Sequence, residues 1–212
     1  MTNYEAYRLK FETGVDSIIS EMEQDAKENF VPIMERSGID TFIGLLMIQQ
    51  PDTLLEIGSA IGYSAIRIAK SFPDLHISTI ERDEVRHAKA ADYIQRAHLE
   101  GRISLFKDDA LTFNTNALPE SLYDALFIDA AKGQYKRFFE KYAALVKPGG
   151  VIYCDNMFMH GMVFVEEHEV PKRNRTMIRN LKAFTEWIMA NPEYETSLLP
   201  VGDGILIARK ND

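Results

Sequence analysis

The chain has 212 residues, 46% hydrophobic and 26% charged, with a formal net charge of −8, which fits one globular domain with a sizeable core and argues against a general polyanion binder. A single cysteine excludes an internal disulfide and suits a reducing compartment. Because the first residues lack a signal-peptide pattern and no apolar run is long enough to cross a bilayer, we expect a cytoplasmic protein that does not enter membranes.

Residues 1–50 predict two helices that pack on the rest of the domain or on a partner subunit. The first helix extends to about Gln24, and its apolar positions repeat at helical spacing among charged ones. These positions are Leu9, Val15, Ile18, Ile19 and Met22. The second helix passes through Phe42 and Leu46 and ends before Pro51, because the residue that precedes a proline disfavours the helical conformation.

Residues 53–64 predict a strand, a tight turn and the start of a helix. Glu56 lies two residues before Gly58, and Gly62 follows four residues after it. Gly58 allows the turn and leaves room for a ligand against bare backbone. The free amides that open the helix at about Tyr63 favour a negatively charged group. Taken alone, this string also fits any glycine turn that closes a strand–helix unit.

Alternating strands and helices fill the rest of the chain. Predicted helices span residues 63–71, 84–97, 134–142 and 174–190. Predicted strands span residues 53–57, 76–81, 103–106, 123–128, 151–154, 194–200 and 205–210. Residues 147–150 predict a turn, 157–170 a loop and 201–204 a hairpin turn. This order predicts an α/β fold with a seven-stranded, mostly parallel sheet, an antiparallel C-terminal hairpin and helices on both faces.

Acidic and amide side chains lie at or shortly after the ends of five of the predicted strands. They are Glu56, Glu81, Asp109, Asp129 and the pair Asp155–Asn156. In open α/β sheets, ligands bind outside the carboxyl ends of the strands, and an acid after the second strand holds the ribose hydroxyls of a nucleoside. Glu81 has that position, about twenty residues beyond the glycines. The alternative is a surface acid beside Arg82.

Asp129, Asp155 and Asn156 form an all-oxygen set at neighbouring strand ends. Two carboxylates and an amide oxygen suit a hard cation, Mg²⁺ first, with Mn²⁺ and Ca²⁺ as alternatives. Without a cation, two close carboxylates would repel each other, and one of them would have a raised pKa. The alternative is that these side chains only cap strand ends.

The spacing of Glu56, Gly58 and Gly62 resembles motif I of the S-adenosylmethionine (SAM)-dependent methyltransferases, and the element order resembles their Rossmann-like class I fold. The resemblance implies SAM as the methyl donor, with the acid of motif I facing its amino acid part. It also implies that a short string after the third strand lines the adenine, although Asp108 stands where the family usually has glycine. The donor-binding residues implied in this way are Glu56, Gly58, Ser59, Ser64, Glu81, Asp109, Ala110 and Asp129.

Residues 127–135 and 151–156 resemble the metal-dependent O-methyltransferases of the catechol and caffeoyl-coenzyme A type. In that family the matching residues bind Mg²⁺, so the resemblance implies Asp129, Asp155 and Asn156 as metal ligands. It also implies that Lys132 lies beside the acceptor hydroxyl and is catalytic together with Asp129. Lys132 could take the hydroxyl proton or stabilise the oxyanion. The alternative is a solvated lysine.

Four strings of the chain resemble a bacterial branch of this family that acts on tRNA. They are residues 32–35, 60–67, 129–135 and 200–204. That branch converts 5-hydroxyuridine at the anticodon wobble position to 5-methoxyuridine, so the resemblance implies a tRNA anticodon loop as substrate. By analogy with related enzymes it also implies a homodimer. The 5-hydroxyl and the adjacent carbonyl oxygen of that base can chelate Mg²⁺ much as a catechol does.

A basic cluster that follows the predicted loop fits a phosphate-bearing substrate. We expect Arg173 and Arg175 from this cluster to contact the RNA, while Tyr135, Phe158 or Phe164 could stack on the base. The alternative for the arginines is a solvated helix face. The alternatives for the whole protein are a small-molecule catechol-type O-methyltransferase and a non-catalytic nucleoside-binding module.

Overall fold

The computed structural model describes Tyr7 and residues 16–212. Its helices over residues 16–212 are α1 (Ser17–Glu28), α2 (Arg36–Gln49), α3 (Tyr63–Ser71), α4 (Glu84–Arg96), α5 (Tyr135–Tyr142) and α6 (Arg175–Met189). Its strands are β1 (Thr53–Ile57), β2 (His76–Glu81), β3 (Ile103–Lys107), β4 (Tyr123–Ile128), β5 (Val146–Cys154), β6 (Tyr194–Leu199) and β7 (Ile205–Lys210). Short 3-10 turns precede α5, β5 and α6.

The strands form one sheet in the order β3-β2-β1-β4-β5-β7-β6. Strands β1 to β5 run parallel, and β7 lies antiparallel between β5 and β6. The strand order reverses at β1, which pairs with β2 on one side and β4 on the other. Ligands bind at such a switch point in open α/β sheets. The predicted seven-stranded, mostly parallel sheet with an antiparallel C-terminal hairpin is confirmed.

Alternate side chains of the central strands belong to two separate cores. In β1, Leu54 packs in the core that contains apolar residues of α1 to α4, whereas Leu55 packs in the core that contains those of α5 and α6. In β4, Phe127 and Ile128 divide between the two cores in the same way. Because helices cover both faces of the sheet, these strands are nearly continuous apolar runs in the sequence.

The register places the carboxyl ends of β1, β2, β4 and β5 level with one another. Ile57 pairs with Ile80 and with Ile128. Ile128 in turn pairs with Cys154. The residue after each of these positions therefore lies at the same edge of the sheet. These residues are Gly58, Glu81, Asp129 and Asp155.

One predicted boundary is wrong. Residues 147–150 do not form a separate turn before the fifth strand, because β5 already begins at Val146. The pairing with β4 shifts between the partners Tyr123–Val146 and Ala125–Val151, so residues 147–150 form an irregularity inside the strand. The predicted loop at residues 157–170 contains neither a helix nor a strand.

The first described helix, α1, continues to Glu28, beyond its predicted end at Gln24. Two of its predicted apolar residues, Ile19 and Met22, lie in the core with α2 to α4. A third, Ile18, is partly buried against the same core, and the remaining two, Leu9 and Val15, lie outside the described residues.

No helix among residues 16–212 is both long and apolar enough to span a membrane. The predicted cytoplasmic location stays a prediction. The homodimer and the single domain over residues 1–212 also stay predictions.

We expect Phe127→Ala to destabilise the fold strongly. The side chain is 1% exposed, and its ring lies 4.4 Å from that of Phe42, measured between centroids. Its removal leaves a cavity in a close-packed core, so we expect a loss of about 3–5 kcal/mol in the free energy of unfolding, measured by urea denaturation. The matched control is Phe30→Ala, since Phe30 is 91% exposed. A similar loss in the control would contradict this explanation.

Candidate active site

Two adjoining cavities lie at the carboxyl edge of the sheet. The first cavity, of about 470 Å³, is formed largely by the segments that follow β1, β2, β3 and β4. The second cavity, of about 620 Å³, lies between residues 23–38 and the segments that follow β5 and β6. The residues that line both cavities are Pro32, Ile33, Met34, Tyr63, Lys132 and Asn156.

Gly58 forms the turn at the bottom of the first cavity. Its φ is +97°, and a Cβ at this position would lie 2.2 Å from the carbonyl oxygen of Asp129. The turn after β1 therefore touches the backbone of the turn after β4, and only glycine fits there. Gly62, with φ +83°, then leads into α3, whose first amides lack partners within the helix.

Glu81 fixes the conformation of the same turn. One of its carboxylate oxygens accepts a hydrogen bond from the N–H of Ala60 at 2.8 Å, and the other accepts one from the N–H of Asp83 at 2.8 Å. Glu81 lines the first cavity, at the position predicted for the ribose. Ser59 lines the cavity too, and its hydroxyl is buried without a hydrogen-bond partner in the part of the chain that the structure describes.

Glu56 lies behind the wall of the first cavity and does not line it. It is fully buried, and its carboxylate accepts hydrogen bonds from the hydroxyls of Ser64 and Thr79. Burial raises the pKa of Glu56 to about 7. Ser64 itself lines the cavity. Glu56 therefore supports the cavity through Ser64, and its direct contact with a donor stays a prediction.

The loop after β3 forms another wall of the first cavity, which Asp108, Asp109 and Ala110 line. The side chain of Asp108 accepts the N–H of Asp109 at 2.7 Å, so an aspartate stabilises the turn where the resembled family usually has glycine. Asp109 accepts the N–H of Leu111 at 2.9 Å. The carbonyl of Ala110 accepts the hydroxyl of Tyr142 at 2.6 Å.

The predicted metal ligands and Lys132 meet at the boundary of the two cavities. Asp129 lines the first cavity, Asp155 the second, and Lys132 and Asn156 both. Lys132 Nζ lies 2.6 Å from Asp129 Oδ1 in a partly buried ion pair. The side-chain N–H of Asn156 donates to Asp155 Oδ2 at 3.1 Å. Asp155 is 3% exposed, and its burial, followed by the charge of Asp129, raises its pKa well above the ordinary value.

Asn156 has a φ of +56°, an uncommon conformation for a residue other than glycine and one that clusters at functional sites. Within residues 16–212, no group of three or more His, Cys, Asp or Glu side chains is placed to hold a metal ion. The predicted set is not a group of that kind, because it has two carboxylates and its third member is an amide. Mg²⁺ binding therefore stays a prediction.

Tyr135 is not free to stack on a substrate, and that prediction is wrong. It is 1% exposed, its hydroxyl donates to the carbonyl of Asp155 at 2.8 Å, and its ring packs edge-on against Phe184. The first residue of α5 thus faces the core and supports Asp155 from within. Phe158 and Phe164 pack on each other with centroids 4.9 Å apart, and neither lines either cavity.

Arg175 is also placed differently from its prediction as an RNA contact. Its guanidinium donates to the carbonyls of Val170 at 3.0 Å and His168 at 2.9 Å, so it braces the loop that precedes α6. Arg173 is exposed on the same loop. Neither arginine lines either cavity, because this loop turns its basic side chains toward its own backbone or toward solvent.

Two walls of the second cavity have no counterpart in the predicted site. Residues 32–34 form one wall, and His160 and Asp203 contribute to the other. Asp203 Oδ1 accepts the N–H of His160 at 2.6 Å, which fastens the hairpin turn to the loop after β5. The sequence signal for residues 32–34 and Asp203 is the likeness of residues 32–35 and 200–204 to the bacterial branch, which assigns no role to them. His160 lies outside both strings.

The chain matches the O-methyltransferase family over residues 12–211. It belongs to that family. It is 32% identical over 174 residues to the caffeoyl-CoA O-methyltransferase of Stellaria longipes, with 78% of this chain and 71% of the relative covered. It is also 30% identical over 169 residues to tapetum-specific methyltransferase 1 of Arabidopsis thaliana, with 78% and 72% covered.

Solved structures of the O-methyltransferase family agree with this assignment. A candidate caffeoyl-CoA O-methyltransferase from Staphylococcus aureus matches with a TM-score of 0.91 and 32% identity, and the match covers 99% of this chain and 100% of that chain. The O-methyltransferase from Bacillus cereus, solved with S-adenosylhomocysteine (SAH), matches with a TM-score of 0.83 and 27% identity over 99% and 98% of the two chains. The predicted SAM-dependent O-methyltransferase of the caffeoyl-CoA type is confirmed, as is its class I, Rossmann-like fold.

In this O-methyltransferase we expect Gly58→Ala to weaken donor binding. The added methyl group would overlap the carbonyl oxygen of Asp129, and alanine is strained at φ +97°. We expect the affinity for SAH in isothermal titration calorimetry to fall at least about tenfold, or about 1.4 kcal/mol. The control is Gly101→Ala, where the added methyl group has no atom within 4 Å. An equal loss in both variants would contradict the proposed clash.

We expect Glu56→Gln to flatten the pH dependence of stability. The folded-state pKa of Glu56, about 7, lies above its ordinary value of 4.5, so ionisation inside the fold is unfavourable. The wild type should therefore lose up to about 3 kcal/mol of stability as the pH rises from 4.5 to 7, relative to the variant. Urea denaturation at pH 5 and pH 8 measures the difference, with exposed Glu100→Gln as the control. Identical pH profiles for the wild type and Glu56→Gln would refute this cause.

Proposed function

We propose that this O-methyltransferase transfers the methyl group of SAM to the 5-hydroxyl of 5-hydroxyuridine at the wobble position of tRNA, with Mg²⁺ bound beside the acceptor. The observation that carries the proposal is the meeting of the two cavities at Lys132 and Asn156. A donor in the first cavity and an acceptor in the second would face each other there, as in-line methyl transfer requires.

Donor binding in the first cavity is supported by its lining and by the Bacillus cereus relative, which was solved with SAH. The buried hydroxyl of Ser59 has no partner within the described chain, and a polar group of the donor would satisfy it. The bare backbone at Gly58 leaves room for a nucleoside, and Glu81 lies where ribose hydroxyls would bind.

The side chains of Asp129, Asp155 and Asn156 fit a hard cation as its ligands. All three side chains offer oxygen, which is the ligand atom that Mg²⁺ prefers. Burial and the charge of Asp129 raise the pKa of Asp155, so a divalent cation would relieve the repulsion between the two carboxylates. When bound, Mg²⁺ supplies a Lewis acid that lowers the pKa of a coordinated hydroxyl and fixes its orientation.

The side chains at the boundary of the two cavities would assist the methyl transfer. The acceptor hydroxyl gives up its proton to water, its oxygen bonds to the methyl carbon, and SAH leaves as the carbon–sulfur bond breaks. Lys132, ion-paired with Asp129 at 2.6 Å, would hold a positive charge beside the oxygen as its negative charge develops. The two cavities would keep sulfur, carbon and oxygen in line.

The tRNA acceptor is supported by the strings shared with the bacterial tRNA-modifying branch and by the chelating oxygens of 5-hydroxyuridine. Lys27 and Arg36 lie on the wall of the second cavity in addition to Lys132, which suits a phosphate-bearing strand, although Glu23 and Glu35 lie on the same wall. A single-stranded anticodon base can enter a pocket of this kind, whereas a paired base cannot.

A small catechol-type phenol is the second candidate acceptor. The named plant relatives favour it, since they include the caffeoyl-CoA O-methyltransferase of Stellaria longipes. The positions of Arg173 and Arg175 also favour it, because neither lines the second cavity. Both candidates present a hydroxyl with a neighbouring oxygen, so both use the same metal chemistry.

The deciding experiment offers labelled SAM and Mg²⁺ with two acceptors in parallel, tRNA that carries 5-hydroxyuridine and caffeate. Nucleoside mass spectrometry should detect 5-methoxyuridine in the tRNA, with little label in caffeate. Turnover of caffeate without methylation of tRNA would establish the second candidate instead. Binding of SAH without transfer to either acceptor would indicate a non-catalytic nucleoside-binding module.

We expect Asp155→Asn to lower kcat at least about 100-fold, or about 2.7 kcal/mol, because it removes a carboxylate from the predicted metal set. SAH affinity should stay within about twofold, since Asp155 does not line the first cavity. Asp83→Asn is the matched control, as Asp83 is exposed and caps α4 through the N–H of Arg86. In the wild type, excess chelator should abolish turnover and Mg²⁺ restore it. Full turnover in chelator would overturn the metal part of the proposal.

A further inference from the structure

Lys141, in the last turn of α5, contacts the loop that follows β3 in an unusual way. Its ammonium donates to the carbonyl oxygens of Ala110 at 2.8 Å, Leu111 at 3.1 Å and Phe113 at 2.7 Å. An ammonium group has three protons, and these three bonds use all of them. Lys141 is partly buried, and burial lowers its pKa. The side chain is therefore committed to one loop and is not a solvated surface charge.

That loop, residues 108–113, is called the donor loop here because its first four residues line the first cavity. Two of its N–H groups donate inside the loop: those of Thr112 and Phe113 donate to the carbonyl of Asp109 at 2.9 and 2.8 Å. Its later carbonyls converge on Lys141 instead. One hydroxyl, from Tyr142, shares the carbonyl of Ala110 at 2.6 Å.

Three carbonyl oxygens that point at one place repel one another unless a cation lies between them. Without the ammonium group, Leu111 and Phe113 would lose the bonds described above, and buried carbonyls without partners are costly. The donor loop would then adopt another conformation. Asp109 and Ala110 are part of this loop, so the wall of the first cavity would change with it.

We propose that Lys141 is a positioning residue for the methyl donor: by gathering three carbonyls, it holds the donor loop so that Asp109 and Ala110 receive the nucleoside part of SAM. This inference rests on the proposed function for the assignment of SAM to the first cavity. It requires neither Mg²⁺ nor a particular acceptor.

A purely structural role is the competing explanation. A lysine near the C-terminus of a helix also interacts favourably with the helix dipole. If this were its only role, its loss would lower the stability of the fold without a specific effect on the affinity for the methyl donor. The two roles differ in what they predict for ligand affinity. A positioning role predicts that loss of Lys141 weakens the binding of every ligand that carries the nucleoside. It also predicts that another cationic side chain at this position restores the affinity.

The test compares Lys141→Met with Lys141→Arg. Methionine matches the apolar stem of lysine but has no hydrogen-bond donor, whereas arginine keeps a positive charge. By isothermal titration calorimetry we expect Lys141→Met to weaken SAH and adenosine by the same factor, at least about tenfold, since both present the same nucleoside to the loop. In steady-state assays its KM for SAM should rise more than its kcat falls. Lys141→Arg should recover most of the affinity.

Lys136→Met is the matched control on the same helix. Lys136 lies over the ring of Trp187 at 4.8 Å and near Glu140 at 3.8 Å, and neither partner belongs to the donor loop. We expect its affinity for SAH to equal that of the wild type. If Lys141→Met does not fold, Lys141→Gln, which keeps two of the donors, takes its place in the same titrations.

Three results would overturn the inference: SAH affinity within about twofold of wild type in Lys141→Met, a loss for SAH without one for adenosine, or no recovery in Lys141→Arg. These titrations contain no acceptor and no metal. A failure of tRNA methylation would therefore leave the inference standing, whereas a wild type that does not bind SAH would remove both it and the proposed function.

Discussion

The site depends on the close approach of two backbone turns at the point where the strand order reverses. Gly58 follows β1, Asp129 follows β4, and a side chain on Gly58 would meet the carbonyl oxygen of Asp129 at 2.2 Å. The N–H of Asp129 also donates to the carbonyl of Ile57 at 3.0 Å. This contact fixes the main chain of Asp129 at the first cavity while its carboxylate pairs with Lys132. The same contacts therefore join the turn at the first cavity to the pair of Asp129 and Lys132, where we propose that methyl transfer takes place.

Two deeply buried acids at this edge of the sheet, Glu56 and Asp155, differ in their surroundings. Glu56 is fully enclosed, and the hydroxyls of Ser64 and Thr79 occupy its carboxylate. The carboxylate of Asp155 accepts hydrogen bonds from its neighbour Asn156, and it lines the second cavity. Burial raises the pKa of both groups. Glu56 therefore supports the wall of the first cavity from behind, whereas Asp155 lines the second cavity.

The sequence predicted the strands and the polar residues at their ends because both are local features. A buried parallel strand is a continuous apolar run, and Asp129 or Asp155 marks where it stops. The side-chain directions could not be obtained in this way. Whether Tyr135 points outward depends on its packing against Phe184 of α6, and whether Arg175 reaches a substrate depends on the course of its own loop. Such contacts join distant segments and have no periodic signal.

Residues 32–34 line both cavities, so one short segment forms a wall that the two compartments share. A displacement of this segment would alter both compartments at once. Under the proposed function, the release of SAH and the release of the methylated product would therefore depend on the same three residues.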